Sequence, residues 1–207
     1  MEVTQLVQPT DAQVQRMLEI FIPAFAPEPG FQYMFQDRAR RMQQIRWVAE
    51  LKFALVQPKA ELLVAGEGIR GFSWWIPPSR SPFASLSQQL RVGYGWSPFR
   101  CGLRGFYRML RFSTQERALI ERFTREPVWV LDTIAVEASA GRQGLGGALV
   151  AAGLREAERS GHDCFVLTHN PRNVRFYEKC GFTLKLTEAL KGADINAYCL
   201  LYETSSR

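Results

Sequence analysis

The sequence predicts an α/β (α+β) domain in which helices flank a mixed β-sheet. Its segments come in the order strand, two helices, strands, and then alternating helix and strand, which is the order that builds such a sheet. In the second half of the chain, a β-branched run at 130–136 leads into a glycine-rich loop at 141–147 and then into an amphipathic helix. At 207 residues the chain can bury a substantial core, and we expect one domain over 1–207.

The first third of the chain is predicted to form one strand and two helices. Residues 3–7 have the pattern of a strand, and Asp11 is expected to cap the first helix. The apolar residues of that helix recur at spacings of three, four and seven: Val14, Met17, Leu18 and Phe21. Residues that disfavour a helix are expected to end it: Pro23, Pro27, Pro29 and Gly30. An aromatic loop should follow, containing Phe31, Tyr33 and Phe35. A second helix is then predicted over about 37–56.

A hairpin and a helical insertion are predicted for the middle of the chain. Residues 61–65 and 69–76 have the pattern of two strands joined near Gly66-Glu67-Gly68. An insertion over about 79–127 follows, in which arginines recur at helical spacing: Arg100, Arg104, Arg108 and Arg111. Ser113 and Glu116 are expected to form a capping box for a further helix. Three interpretations stay open: a lid over a pocket, a basic helix on a membrane surface, or a solvated arginine face over an apolar patch.

The glycine-rich loop after the predicted central strand at 128–136 indicates a phosphate-binding site. A strand, a glycine loop and a helix in this order build a nest of backbone N–H groups at a helix N-terminus. A P-loop requires Lys and then Ser or Thr where Gly147 and Ala148 stand. A dinucleotide-binding turn requires glycine where Leu149 stands. Both of these nucleotide motifs therefore fail.

A second segment has the sequence pattern of a buried strand followed by a well-capped helix. The strand covers 165–169, and Asn170 is a favourable N-cap for the helix behind it. Pro171 suits the first helical position, and Gly181 suits the residue just past the end. Two closing strands are predicted at 182–186 and 198–202.

Together these segments resemble the GNAT superfamily of N-acetyltransferases. Its acetyl-CoA loop reads Gln/Arg-x-x-Gly-x-Gly/Ala, and Gly144 and Gly146 match its two glycines. Gly141 stands where that family usually has Gln or Arg, so we expect weakened rather than abolished pyrophosphate binding. Four residues match the second family pattern: Asn170, Tyr177, Gly181 and Phe182. Residue choice at 71–78 and 171–178 is similar to the puromycin N-acetyltransferase branch, which indicates a small-amine branch.

The resemblance implies a fold, a co-substrate and a set of binding residues. The fold is a mixed, mostly antiparallel central sheet flanked by helices, with a helical insertion before the central strand. The co-substrate is acetyl-CoA, whose pantetheine arm adds to the edge of the central strand like a further strand. The implied binding residues are Ile134, Ala135, Val136, Arg142, Gln143, Gly144, Leu145, Gly146, Gly147, Asn170 and Asn173.

The resemblance also implies a general acid, while the general base stays open. Tyr177 occupies the position that protonates the departing thiolate in the family. A tyrosine, with a pKa of about 10, is close enough to a thiol in acidity to do so. An alkylamine must lose a proton before it attacks. The candidates for accepting it are Asp132 on the central strand, His169 at the end of the neighbouring strand, and a relay through ordered water. The resemblance implies that the two strands separate at His169.

Composition excludes several classes of protein. Hydrophobic residues make up 46% and charged residues 22%, which is ordinary for a globular protein. We expect neither a signal peptide nor stable membrane insertion. The four cysteines are scattered without a Cys-x-x-Cys pair: Cys101, Cys164, Cys180 and Cys199. We therefore expect no metal, no disulfide framework and a cytoplasmic location. The net charge of +6 favours attraction of polyanionic CoA or a solvated surface over nucleic-acid binding, since no nucleic-acid motif is present.

The leading hypothesis is an acetyl-CoA-dependent N-acetyltransferase that transfers the acetyl group directly to the primary amine of a small molecule. One alternative keeps the fold but acetylates proteins or peptides. The other is a non-catalytic acyl-CoA sensor, which the departure at Gly141 favours and the intact Tyr177 disfavours. A homodimer is left open by the sequence.

Overall fold

The computed structural model describes residues 2–141 and 143–205, so Arg142, one of the predicted binding residues, lies outside the described residues. The strands are β1 (Val3–Gln5), β2 (Glu61–Ala65), β3 (Gly71–Ile76), β4 (Trp129–Val136), β5 (Cys164–Thr168), β6 (Thr183–Ala189) and β7 (Asn196–Tyr202). Within the described ranges they form one open sheet in the order β1-β2-β3-β4-β5-β7-β6. Each neighbouring pair is antiparallel except β4 and β5, which are parallel. The predicted mixed, mostly antiparallel sheet is confirmed.

Helices cover both faces of this sheet. They are α1 (Asp11–Phe25), α2 (Pro29–Met34), α3 (Arg41–Val56), α4 (Leu86–Arg91), α5 (Ser97–Phe123), α6 (Leu145–Ser160) and α7 (Pro171–Lys179). A short 3₁₀ turn at Tyr94–Trp96 separates α4 from α5. Because α4, this turn and α5 lie between β3 and β4, the helical insertion before the central strand is confirmed.

Strand β3 is buried along its whole length and separates two apolar clusters. Trp74 packs in a cluster with residues of α1, α3 and α5, whereas Trp75 packs in a cluster with residues of α6 and α7. The two adjacent tryptophans point to opposite faces because side chains alternate along a strand. The hairpin to β2 turns through Gly66 and Gly68, which have φ values of 81° and 67° that favour glycine.

The N-terminal helices differ from the prediction at their ends. Thr10, not Asp11, is the N-cap of α1, and it forms a capping box with Gln13. Pro23 does not end the helix, which continues to Phe25, because a proline in the last turn removes little of the remaining helical bonding. The predicted aromatic loop is wrong, since Pro29 starts α2 at a position that suits proline. Helix α3 begins at Arg41 rather than near residue 37.

The insertion is dominated by a single kinked helix. Gly102 has φ 72° and ψ 156°, and this interrupts α5 near its start. The predicted capping box is wrong because Ser113 lies inside α5 and the helix runs on to Phe123. The buried face of α5 carries Cys101, Gly105, Met109, Phe112 and Leu119. Leu103, Tyr107 and Leu110 lie on the exposed side of the helix instead. Across 2–141 and 143–205, no helix is both long and apolar enough to cross a membrane.

Candidate active site

The candidate site lies where the two parallel strands separate. Strands β4 and β5 pair only at Trp129 with Cys164 and at Val130 with Phe165. Beyond these pairs a cavity of about 1250 Å³ opens, and it is lined by 131–136 of β4 and by 166–169 at the end of β5. The predicted separation at His169 is therefore observed. It leaves one edge of β4 without a neighbouring strand.

A β-bulge directs the main chain of β4 toward this opening. Leu131 pairs with Trp75 and Thr133 with Trp74, so Asp132 is the extra residue. Before the bulge, the Trp129 amide donates to Asp163 O on the β5 side. After it, the Glu137 amide donates to Arg70 O on the β3 side. Because amide directions alternate along a strand, the N–H groups of Ile134 and Val136 point into the opening.

The glycine loop closes one end of the same cavity. Gly144 is the N-cap of α6 with φ 80° and ψ 1°, a left-handed conformation that favours glycine. The first intrahelical bond runs from the Ala148 amide to Gly144 O at 2.9 Å. The amides of Leu145, Gly146 and Gly147 therefore have no acceptor within the helix, and all three residues line the cavity. Their N–H groups are available to an anion.

Two predicted binding residues lie outside this lining. The side chain of Gln143 accepts from Arg70 Nη1 at 3.3 Å and faces a smaller neighbouring cavity. Asn170 caps α7 as predicted, since its Oδ1 accepts from the Arg172 amide at 3.1 Å, and its Nδ2 donates to Glu28 Oε1 at 2.9 Å. Asn173 does line the cavity, and its Nδ2 donates to Thr168 Oγ1 at 3.2 Å.

Tyr177 lies on the buried face of α7 and lines the cavity. Its ring packs against Phe176 and Phe182, with centroid separations of 5.1 and 5.7 Å. Burial raises the pKa of the Tyr177 hydroxyl, and the nearby Glu28 adds to this effect. The hydroxyl therefore keeps its proton at neutral pH.

Asp132 is held as an ion-paired carboxylate. Lys52 Nζ of α3 lies 2.9 Å from its Oδ2, and Thr133 Oγ1 donates to the same oxygen at 2.8 Å. Burial acts to raise the pKa of Asp132, but Lys52 and the Thr133 hydrogen bond outweigh it, so the pKa lies below its usual range. A carboxylate with a lowered pKa is a weak base. The ion-pair partner of Asp132 is therefore Lys52 of α3, and not an arginine of the insertion.

His169 is buried against the insertion helix. Its ring lies 4.7 Å from that of Phe112, measured between centroids. Burial lowers the pKa of His169 to about 4, so the imidazole is neutral at pH 7. Its Nε2 is buried and has no hydrogen-bond partner in the described structure. Glu116 Oε1 lies 3.7 Å from His169 Nε2.

Glu116 is a cavity residue that the sequence reasoning missed. The capping-box pattern predicts that Glu116 lies in the first turn of a further helix. Instead, α5 runs through this position and places Glu116 on the helix face that lines the cavity. The available signal was spacing: Met109, Phe112 and Glu116 recur at three and four residues along that face. Across the described ranges, no group of three or more His, Cys, Asp or Glu side chains could hold a metal ion.

Comparison with known proteins agrees with this geometry. Residues 92–182, which contain α5, β4, the glycine loop and α7, match the model of the acetyltransferase (GNAT) family. A Corynebacterium glutamicum structure described as histone acetyltransferase HPA2 and related acetyltransferase is similar, with 17% identity, a TM-score of 0.66, and coverage of 99% of this chain and 98% of that one. A GNAT-family putative acetyltransferase from Desulfovibrio desulfuricans has 17% identity and a TM-score of 0.55, with 98% of each chain covered.

A third similar structure contains the coenzyme. It is a Bacillus subtilis acetyltransferase in complex with CoA, with 12% identity, a TM-score of 0.53, and coverage of 98% of this chain and 97% of that one. At these identities the three structures establish the fold, and the match to the acetyltransferase family model indicates acyl transfer. The chain is an acyltransferase with the GNAT fold.

Proposed function

We propose that the protein transfers an acetyl group from acetyl-CoA directly to the primary amine of a small molecule, as the similarity to the puromycin N-acetyltransferase branch suggests. The observation that carries the proposal is that one cavity joins three features. These are the free edge of β4, the amides at the start of α6 that have no acceptor within the helix, and the hydroxyl-bearing side chain of Tyr177.

The proposed acetyl-CoA site follows the lining of the cavity. The amides of Leu145, Gly146 and Gly147 bind the pyrophosphate at the positive end of α6. The amides of Ile134 and Val136 bind the pantetheine arm as a strand would. An N–H at this edge also stabilises negative charge that develops on the thioester oxygen.

The transfer step needs one acid and one proton acceptor. The amine nitrogen forms a bond to the thioester carbon, the carbon–sulfur bond breaks, and Tyr177 gives its proton to the departing thiolate. A covalent intermediate on the protein is not part of this scheme. Cys180 lines the cavity, but burial raises the pKa of its thiol, which keeps it protonated and poorly nucleophilic.

The walls of the acceptor end support a small molecule rather than a peptide. Side chains of α1, α2, α3 and α5 surround it, and 82–84 of the insertion add a further wall. This placement supports the lid interpretation of the insertion. A peptide substrate would need a groove that is open at two ends.

We further propose that 1–207 act as one domain in the cytoplasm. The two apolar clusters share β3, which gives both halves of the chain a common core. All four cysteines are free thiols, as a reducing compartment would require.

The proposal is tested by measuring CoA thiol release from acetyl-CoA with a panel of amines, while mass spectrometry identifies the acetylated product. The panel contains arylalkylamines, aminonucleosides, polyamines, aminoglycosides, amino acids and peptides. We expect release that depends on a small amine. Turnover confined to peptides would support the protein N-acetyltransferase alternative, and acetyl-CoA binding without turnover on any amine would support the sensor.

Replacing Gly144 with Ala is expected to weaken acetyl-CoA binding about five- to tenfold. A side chain at this left-handed position costs about 1 to 2 kcal/mol, and the loop would relieve that strain by moving its amides. The measurement is the dissociation constant for acetyl-CoA by calorimetry.

Gly161→Ala is the matched control, because Gly161 is also left-handed (φ 66°) but lies at the far end of α6. It should lose similar stability and keep its affinity for acetyl-CoA. Equal affinity loss in both variants would mean that the Gly144 loop does not bind the coenzyme.

A further inference from the structure

We propose that Glu116 binds the ammonium group of the acceptor and takes its proton, and that the rings around it select an arylalkyl primary amine. The inference rests on the acetyl transfer proposed above and names its substrate class. It is carried by one cavity carboxylate that has neither a Lys or Arg ion pair nor a hydrogen bond among the described residues.

Glu116 is enclosed by the protein but reachable from the cavity. Its side chain projects from α5 into the lining and is 30% exposed. Within the described part of the chain, the basic side chain that contacts it is His169, whose Nε2 lies 3.7 Å from Glu116 Oε1. That imidazole is neutral at pH 7 because burial lowers its pKa to about 4. No hydrogen bond to the Glu116 carboxyl group occurs among the described residues. An ammonium ion supplies both the positive charge and the donors that the carboxylate lacks.

The cations near Glu116 are already engaged. Lys52 lies 2.9 Å from Asp132, and Lys59 Nζ donates to Pro82 O at 2.6 Å. Arg117 pairs with Glu121 at 2.8 Å. The hydroxyl of Tyr94 also lies close enough for Glu116 to raise its pKa, after the larger effect of burial. Glu28 also lines the cavity, but its Oε1 accepts from Asn170 Nδ2 at 2.9 Å. Of the three carboxylates in the lining, Glu116 is therefore the one with neither a Lys or Arg partner nor a hydrogen bond among the described residues.

Burial sets the acid strength of this carboxylate. It raises the pKa of Glu116 to about 7, with Lys52 opposing the shift and Asp132 adding to it. Near neutral pH such a group can accept a proton from a bound ammonium and later release it to solvent. Glu116 is therefore better suited to act as the base than Asp132 or His169, whose pKa values are both lowered.

The cavity that Glu116 lines is rich in aromatic rings. Rings from α1, α2, α5 and the insertion line this end of the cavity: Phe25, Phe31, Phe83, Tyr94 and Phe112. Phe25 and Phe31 meet edge to face, with centroids 5.9 Å apart. A flat ring carried on a short alkylamine can contact such rings while its single ammonium group meets Glu116.

The proton balance of the step is complete. The ammonium loses one proton to Glu116, which passes it to solvent as the net proton of the reaction. The neutral nitrogen attacks the thioester carbon, and the thiolate leaves with a proton from Tyr177. The second proton lost by nitrogen replaces the one that Tyr177 gave.

The test compares Glu116→Gln with Glu50→Gln, which changes an exposed carboxylate of α3 that pairs with Arg46 outside the cavity lining. With 2-phenylethylamine at pH 7, we expect kcat/KM to fall at least about 100-fold in the first variant and less than about twofold in the second. With an aniline, which is uncharged at pH 7, the loss in Glu116→Gln should be under about tenfold. Acetyl-CoA affinity should stay unchanged in both variants. An equal loss with charged and uncharged acceptors would overturn the inference.

The pH profile adds a readout that a structural role would not give. Because the ionised carboxylate is needed, wild-type kcat/KM should rise with pH through about 7, the pKa of Glu116, and this step should vanish in Glu116→Gln. If the wild-type protein releases CoA with none of the amines tested, the proposed function is refuted. One that releases CoA with phenylethylamine, while Glu116→Gln matches it, refutes only the role of Glu116.

A second measurement avoids variants altogether. Calorimetry on the wild-type protein at pH 8 should show that 2-phenylethylamine binds at least about tenfold more tightly than the uncharged 2-phenylethanol. Equal affinities would overturn the inference, as would an aminoglycoside with the highest kcat/KM in the panel.

Discussion

Tyr177→Phe is expected to lower kcat at least about tenfold while leaving the affinity for acetyl-CoA nearly unchanged. The substitution removes one hydroxyl from the cavity and retains the ring, whose packing against Phe176 and Phe182 holds the site together. Without that hydroxyl the thiolate departs unprotonated, which raises the barrier of the chemical step by about 1.4 kcal/mol or more. Steady-state kinetics gives kcat, and calorimetry gives the affinity for acetyl-CoA.

Tyr202→Phe provides a control for this change. The Tyr202 hydroxyl donates to Glu158 Oε1 at 2.6 Å, outside the cavity, so the variant should keep wild-type kcat. If Tyr177→Phe lost kcat and acetyl-CoA affinity equally, or lost neither, the assignment of Tyr177 as the general acid would be wrong.

Gly153→Ala is expected to destabilise the protein by about 2 to 3 kcal/mol. Gly153 lies on α6 against Trp75, and a Cβ there would overlap the indole ring. The ring cannot move aside easily, because Trp75 is 1% exposed and its Nε1 donates to Ser73 Oγ at 2.9 Å. Overpacking of this kind costs more than the ~1 kcal/mol that alanine gains over glycine in a helix. Thermal unfolding should show a melting temperature lower by about 5 to 10 °C.

Gly147→Ala is the matched variant in the same helix, since a Cβ at Gly147 meets no atom within 4 Å. It should leave the melting temperature unchanged or raise it by about 2 °C, because only the helix propensity changes. If the two variants had the same melting temperature, the close packing of α6 on Trp75 would be ruled out.

Sequence patterns predicted the parts of the fold that are set by local chemistry. The hairpin at Gly66 to Gly68 and the N-cap at Asn170 each depend on residues within a few positions of one another. The order of segments then allowed few arrangements, and the mixed sheet followed. The opening between β4 and β5 was expected from the family resemblance alone, since no local pattern shows where two strands stop pairing.

The errors have a common physical cause. Ser113 and Glu116 satisfy a capping-box pattern, but Met109 and Phe112 pack inward before them and Leu119 packs inward after them, so tertiary burial keeps α5 continuous. Pro23 was expected to end a helix that its buried neighbours Phe21 and Ile22 hold in place. Local signals are weaker than burial when the two disagree.

For the same reason, the sequence predicted the parts of the site that depend on local order and missed those that depend on distant contacts. The glycines of the loop and Tyr177 line one cavity because their positions follow from the strand–loop–helix order. The pairing of Asp132 with Lys52 links residues 80 positions apart. Glu116 reaches the cavity through an insertion that no motif describes. Spacing can show which helix face is buried, but a single sequence does not show which distant residues that face will meet.

The central claim is direct transfer within a complex that holds acetyl-CoA and the amine together. It is tested most directly by the initial rate of CoA thiol release as both substrates are varied, using 2-phenylethylamine as the acceptor. Direct transfer predicts intersecting lines in double-reciprocal plots and no stoichiometric CoA release when the amine is omitted. Parallel lines, together with a burst of one CoA per protein in the absence of amine, would show an acyl-enzyme and contradict the account.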